Sequence, residues 1–215
     1  YSFYMVRSDL SIDLDPRPRA AILVIHYFGW ENQGSRLLRD EVDSTQLLIE
    51  DASQSSLSPW IEKVDSPSIL LTNPRKLGPI PVGAWCSLSG SLPLPNYSFL
   101  RSIDAALAAA RDKHAYLNEA TVERDLTREK VFLRAFHNLE SRLAEDPRPL
   151  ALPTQHLDLL SQVDWTVAAQ ARRTNWETLN CQLPPQVRRV RSNLGEQTVP
   201  IGFPVRIRER DTVQD

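Results

Sequence analysis

Residues 20–25, Ala-Ala-Ile-Leu-Val-Ile, form an unbroken apolar run that stops at His26-Tyr27-Phe28-Gly29. A short run rich in β-branched residues, with no polar alternation, suits a strand buried on both faces of a parallel sheet. A second stretch, Gln46-Leu47-Leu48-Ile49-Glu50, follows a polar segment in which Leu37, Leu38 and Val42 fall at helical spacing. Ser35 stands where it would cap that helix. Strand, helix and strand together make a β-α-β unit, the crossover that parallel strands require. Residues 68–72 and 84–88 read as two further strands. The expected fold class is therefore α/β, a mostly parallel sheet with helices.

After Leu92-Pro93-Leu94-Pro95 the character changes. Residues 97–117 and 120–144 carry apolar side chains three and four apart with charges between them, the pattern of two amphipathic helices. Their apolar stripes should pack together and leave Arg111, Lys113, Arg124 and Glu129 in water. A shorter segment follows Pro153, and Asp164 is placed to cap a helix running to about Cys181, which Pro184-Pro185 stops. Residues 199–207 read as a strand in a new setting. The expected organisation is a partial α/β domain over 1–95, a helical segment over 96–183 and the start of a small domain over 184–215.

Composition narrows the partners more than the chemistry. A formal net charge of −2 gives no reason to expect nucleic acid or an anionic membrane. The run Arg188, Arg189, Arg191 reads as a solvated loop. No apolar stretch approaches the roughly 20 residues that span a bilayer, and the first residues lack the basic and apolar regions of a signal peptide. Cys86 and Cys181 offer neither metal spacing nor a disulfide framework, which makes a reducing cytoplasm the default expectation.

Ligands of open α/β sheets gather at the carboxyl ends of the strands. Asp51 directly follows the second strand, Lys76 lies four residues beyond the third, and His26 ends the first. Taken alone, such residues read more simply as caps or surface groups.

The wording of the segments adds to this. Ile25-His26-Tyr27-Phe28-Gly29, Leu48-Ile49-Glu50-Asp51-Ala52-Ser53-Gln54-Ser55, and Asn73-Pro74-Arg75-Lys76 with Pro79 and Gly83 behind it occur in that order. This series resembles the DegT-type nucleotide-sugar aminotransferases, which use pyridoxal 5′-phosphate and share the type I fold of such transferases. Asp13-Leu14 upstream, the helix segment Arg172-Arg173-Thr174-Asn175-Trp176-Glu177-Thr178-Leu179, and Gly202-Phe203-Pro204-Val205-Arg206 are similar to further stretches of that family.

The resemblance implies a job for each residue. Lys76 would bind the cofactor aldehyde covalently and then move the substrate proton, with desolvation and the neighbouring Arg75 favouring its neutral form. Asp51 would keep the pyridine nitrogen protonated. Gln54 would hydrogen-bond the ring's phenolic oxygen. Asn73 would contribute to phosphate binding or serve only the turn, and His26 would contact the cofactor or pack behind it. The implied reaction moves an amino group from an amino-acid donor, glutamate foremost, to a keto acceptor such as a keto sugar. A homodimer is implied too, and the retained Lys76 disfavours the family's dehydratases, which carry histidine there.

Three departures accompany the resemblance. The family's N-terminal portion, with its phosphate-holding turn and stacking aromatic ring, is not matched, so an excised piece is expected. The match stops about one strand into the small domain. The glycine pair behind the lysine appears as Val82-Gly83-Ala84. The competing expectation is a non-catalytic relative or fragment that serves as a binding or scaffold module.

Overall fold

The computed structural model describes residues 2–13, 21–42, 46–63, 69–78, 83–87, 100–119, 125–145 and 154–207. Arg124 and the first residues of both expected amphipathic helices lie outside that set. The chain divides into two compact units, one formed by 1–77, 84–90 and 164–215 and the other by 78–83 and 91–163.

The first unit opens with a small antiparallel pair, β1 (Met5–Val6) and β2 (Ile12–Asp13). Then come β3 (Ala21–Ile25), α1 (Gln33–Glu41), β4 (Leu47–Asp51), β5 (Ile69–Thr72) and β6 (Trp85–Ser87). These four strands form one sheet in the order β3-β4-β5-β6. The first two pairings are parallel and the last is antiparallel. The molecule is thus mixed α/β with a mostly parallel central sheet. The β-α-β unit and the neighbouring positions of its strands are as expected.

Burial on both sheet faces is not observed. Val24, Leu48, Glu50 and Leu70 are buried on one face, whereas Leu23 and Leu47 on the other are 49% and 36% exposed. The covered face packs against α1, where Leu38 joins Ile12, Val24 and Leu48 in one cluster. Each such side chain contributes roughly 1.5–3 kcal/mol when fully buried. Strand β3 is an edge strand, and the Tyr4 hydroxyl accepts its spare Ile25 N–H at 3.1 Å. The cap of α1 is Asn32, not Ser35. Asn32 Oδ1 accepts from Gly34 N–H, while Ser35 is fully buried and donates its hydroxyl to Asn32 O at 2.7 Å.

The second unit holds α2 (Leu100–Asn118), α3 (Leu126–Glu145) and α4 (Thr154–Ser161). Helices α2 and α3 pack through Ile103, Ala106, Leu139, Leu107 and Phe136. Arg111 and Lys113 are exposed as expected. Glu129 is instead half-buried, accepting from the Tyr116 hydroxyl at 3.3 Å. Arg128 spans to Asp112 and Glu119 at 2.8 and 2.6 Å.

Helix α5 (Trp165–Gln182) is capped by Asp164, whose carboxylate accepts from Val167 N–H at 3.0 Å. It belongs to the α/β unit and not to a separate helical segment ending at 183. The residues after it group with the same unit. Among the described residues there, β7 (Arg188–Arg189) pairs with β8 (Val205–Arg206), so the strand expected over 199–207 is reduced to two residues. Pro200, Gly202 and Pro204 explain the loss: two of the three lack a donor, and the third favours irregular backbone.

That irregular strap instead docks on the turn after β3. Ile201 N–H donates to Phe28 O at 3.1 Å, and Val199 N–H donates to Ser58 Oγ at 3.0 Å. Ser58 and the Trp60 indole both donate to Gly29 O, at 2.8 and 3.2 Å. Gly29 has φ +106°, and a Cβ there would lie 2.2 Å from Val199 O. Only glycine satisfies both conditions.

Candidate active site

Asp51 is the last residue of β4, and Oδ1 accepts the Ser53 N–H at 2.9 Å as the chain turns off the sheet. Strand β5 ends beside it, with Leu71 opposite Asp51. Beyond β5, the Asn73 side chain accepts from Arg75 N–H at 3.0 Å and caps the short 3-10 turn Pro74–Lys76. Its own N–H is held by Ser56 Oγ at 2.8 Å. Proline at the first position of the turn needs no donor there. The turn throws Lys76 back toward β4, and Nζ donates to Ser53 Oγ at 3.0 Å. Ser53 thus takes the lysine through its hydroxyl and the aspartate through its amide.

These bonds bring Asp51 and Lys76 to one end of the sheet, as expected. Lys76 is exposed, not desolvated as expected. Asn73 performs the turn function, because its amide oxygen is spent on the cap. Gln54 Oε1 accepts from Phe28 N–H at 3.0 Å. Phe28 has φ 57°, a left-handed conformation costly for a non-glycine residue, and it is held from both sides by Gln54 and Ile201. The amide group of Gln54 therefore has its oxygen committed and its NH2 end turned elsewhere.

His26 is not brought to the others. It is fully buried, accepts Asn32 N–H at Nδ1 (3.0 Å) and faces Glu50 Oε1 with Nε2 at 3.1 Å. The Trp60 ring lies 4.5 Å away between centroids. A backbone N–H pointing at Nδ1 places the ring proton on Nε2, where it donates to Glu50. The histidine packs behind the site.

Glu50 is the group that sequence reasoning passed over. Its side chain is wholly buried, yet it accepts from His26 and from Arg39 at 3.0 and 2.6 Å. Burial works against its charge, but the His26 and Arg39 hydrogen bonds and the Arg39 charge outweigh it and lower its carboxyl to about 2. Arg39 reaches Glu31 at 2.8 Å, and Glu31 in turn pairs with Arg36. The signal was an ionisable residue inside an apolar strand, which demands a buried partner. This network ties α1 to β4 through Arg39 and Glu50. Near it, burial pushes the Tyr4 phenol above its ordinary value against the Ile25 hydrogen bond, and Tyr27 and Asp51 add to the rise.

Chemically, the sheet end offers an amine and a carboxylate tied to one serine, both reachable from solvent. Among the described residues, no cluster of histidine, cysteine and carboxylate side chains fits a metal ion, and no helix is long and apolar enough to cross a membrane. Both cysteines are free and exposed. No protein-family model, curated protein or solved structure matches the chain.

Proposed function

We propose that this chain carries the lysine and the aspartate of a pyridoxal-phosphate-dependent aminotransferase of the type I fold, of the DegT kind that its motifs resemble. The observation that carries the reading is the meeting of Lys76 and Asp51 on Ser53, from the ends of two adjacent parallel strands. The donor set fits the cofactor at two points: an accessible primary amine for the aldehyde and a carboxylate for the ring nitrogen. When bound, pyridoxal phosphate supplies an electron sink for the carbanion formed on the substrate carbon.

The residues then divide the work. Lys76 Nζ would hold the cofactor aldehyde and would serve as the base and acid that moves the substrate proton. Asp51 would keep the pyridine nitrogen protonated. Ser53 keeps Nζ within reach of that carboxylate. Asn73 shapes the lysine turn, Gln54 holds the Phe28 turn, and His26 with Glu50 supports β4 from behind. An amino acid would be the donor and a ketone, such as a keto sugar, the acceptor, in a homodimer.

The sequence holds four lysines, at 63, 76, 113 and 130, which makes the test direct. After incubation with pyridoxal phosphate and borohydride reduction, peptide mapping should find the label on Lys76 ahead of the other three. Lys76→Ala should abolish both that label and amino-group transfer. Equal labelling across the lysines, or undiminished transfer by Lys76→Ala, would overturn the reading and favour a scaffold module.

A further inference from the structure

Arg172 on α5 has no carboxylate partner among the described residues, in contrast to Arg39 and Arg128, which each meet two. It is half-buried, and its guanidinium reaches only two neutral carbonyls, Leu77 O at 3.3 Å and Ile201 O at 3.5 Å. Both are long for such bonds. Burial lowers the pKa of the group, and no opposing charge offsets it. One turn away, Trp176 is 3% exposed, and its indole N–H is buried with no acceptor. A buried donor left unpaired costs about 1–3 kcal/mol, and a buried unpaired charge costs more.

Both side chains line one cavity of about 110 Å³, together with Asn175, Ile201, Gly202 and Phe203. A Cβ placed on Gly202 would meet nothing within 4 Å, so that wall is open. The volume has room for a group of a few heavy atoms. The Arg172 guanidinium and the Asn175 amide, on residues of its wall, can both donate hydrogen bonds.

We propose that this cavity is a binding site for a small oxyanion, a carboxylate or phosphate group, held by the Arg172 guanidinium beside the Trp176 ring. The site is separate from the Lys76–Asp51 pair and does not rest on the reading of that pair. A bound oxyanion supplies the counter-charge that Arg172 lacks among the described residues. Through the Leu77 carbonyl, Arg172 also touches the turn that carries Lys76, so occupancy would steady that turn.

The test is a titration of the full chain with acetate and, separately, inorganic phosphate at fixed ionic strength, followed by the tryptophan indole N–H resonances. There are five tryptophans, and Trp176→Phe identifies the relevant signal by deleting it. The Trp176 signal should shift saturably with one of the anions at millimolar concentration, and the responding anion names the group bound. Arg172→Gln should weaken that binding by at least about tenfold. Asn175→Asp, an exposed change that leaves the packing alone, should weaken it comparably by repulsion. Lys76→Ala should leave it unchanged. An unmoved Trp176 signal up to about 50 mM of either anion, or wild-type affinity in both Arg172→Gln and Asn175→Asp, overturns the proposal.

Discussion

Replacing Glu50 with glutamine tests the buried network behind the site. The change keeps the size and one carbonyl oxygen but removes the charge that faces Arg39 and His26. The folded-state carboxyl is lowered from an ordinary 4.5 to about 2. At about 1.4 kcal/mol for each tenfold change in acidity, this difference corresponds to about 3 kcal/mol of stability. Because the folded value is depressed, that stability is complete above pH 4.5 and is lost as pH falls from there toward 2. Near pH 3.5 a sizeable part of it should already be gone. Urea unfolding of wild type and Glu50→Gln at a series of pH values between 7 and 3.5 measures the gap. The gap should be about 3 kcal/mol at neutral pH and shrink visibly below pH 4.5. A gap under about 1 kcal/mol at pH 7, or one that stays constant down to pH 3.5, would refute the assigned charge coupling.

Gly29→Ala should cost about 3 kcal/mol or more, because the new methyl meets the Val199 carbonyl in a backbone conformation that already disfavours a side chain; thermal unfolding measures it. A loss below about 1 kcal/mol would show that the strap is not seated there. Asp164→Ala should cost about 1 kcal/mol through the lost cap, and Asp164→Asn should recover most of it, read by the helical circular dichroism transition.

The sequence by itself determined the local elements wherever one short stretch held the whole cause. Residues 20–50 specify strand, helix and strand through their own apolar spacing, and Asp164 announces the start of α5 because a cap acts on amides three residues away. The polar residues at the strand ends were legible for the same reason, since the end of an apolar run is a local event. Tertiary structure decided everything that depended on what each stretch meets. That β6 runs antiparallel, that one sheet face stays half-open, and that α5 joins the α/β unit follow from contacts between distant residues. The strap over 199–204 carries Pro200, Gly202 and Pro204 among its apolar residues, and only the tertiary structure shows that its Val199 and Ile201 amides find Ser58 and Phe28. Ser53 was given no role from the sequence, because no pattern in a single strand reveals that a lysine beyond the next strand will return to its hydroxyl. Glu50 showed only half of its cause in the sequence: a charge within an apolar strand signals a partner, but only the packing of α1 on the sheet names Arg39.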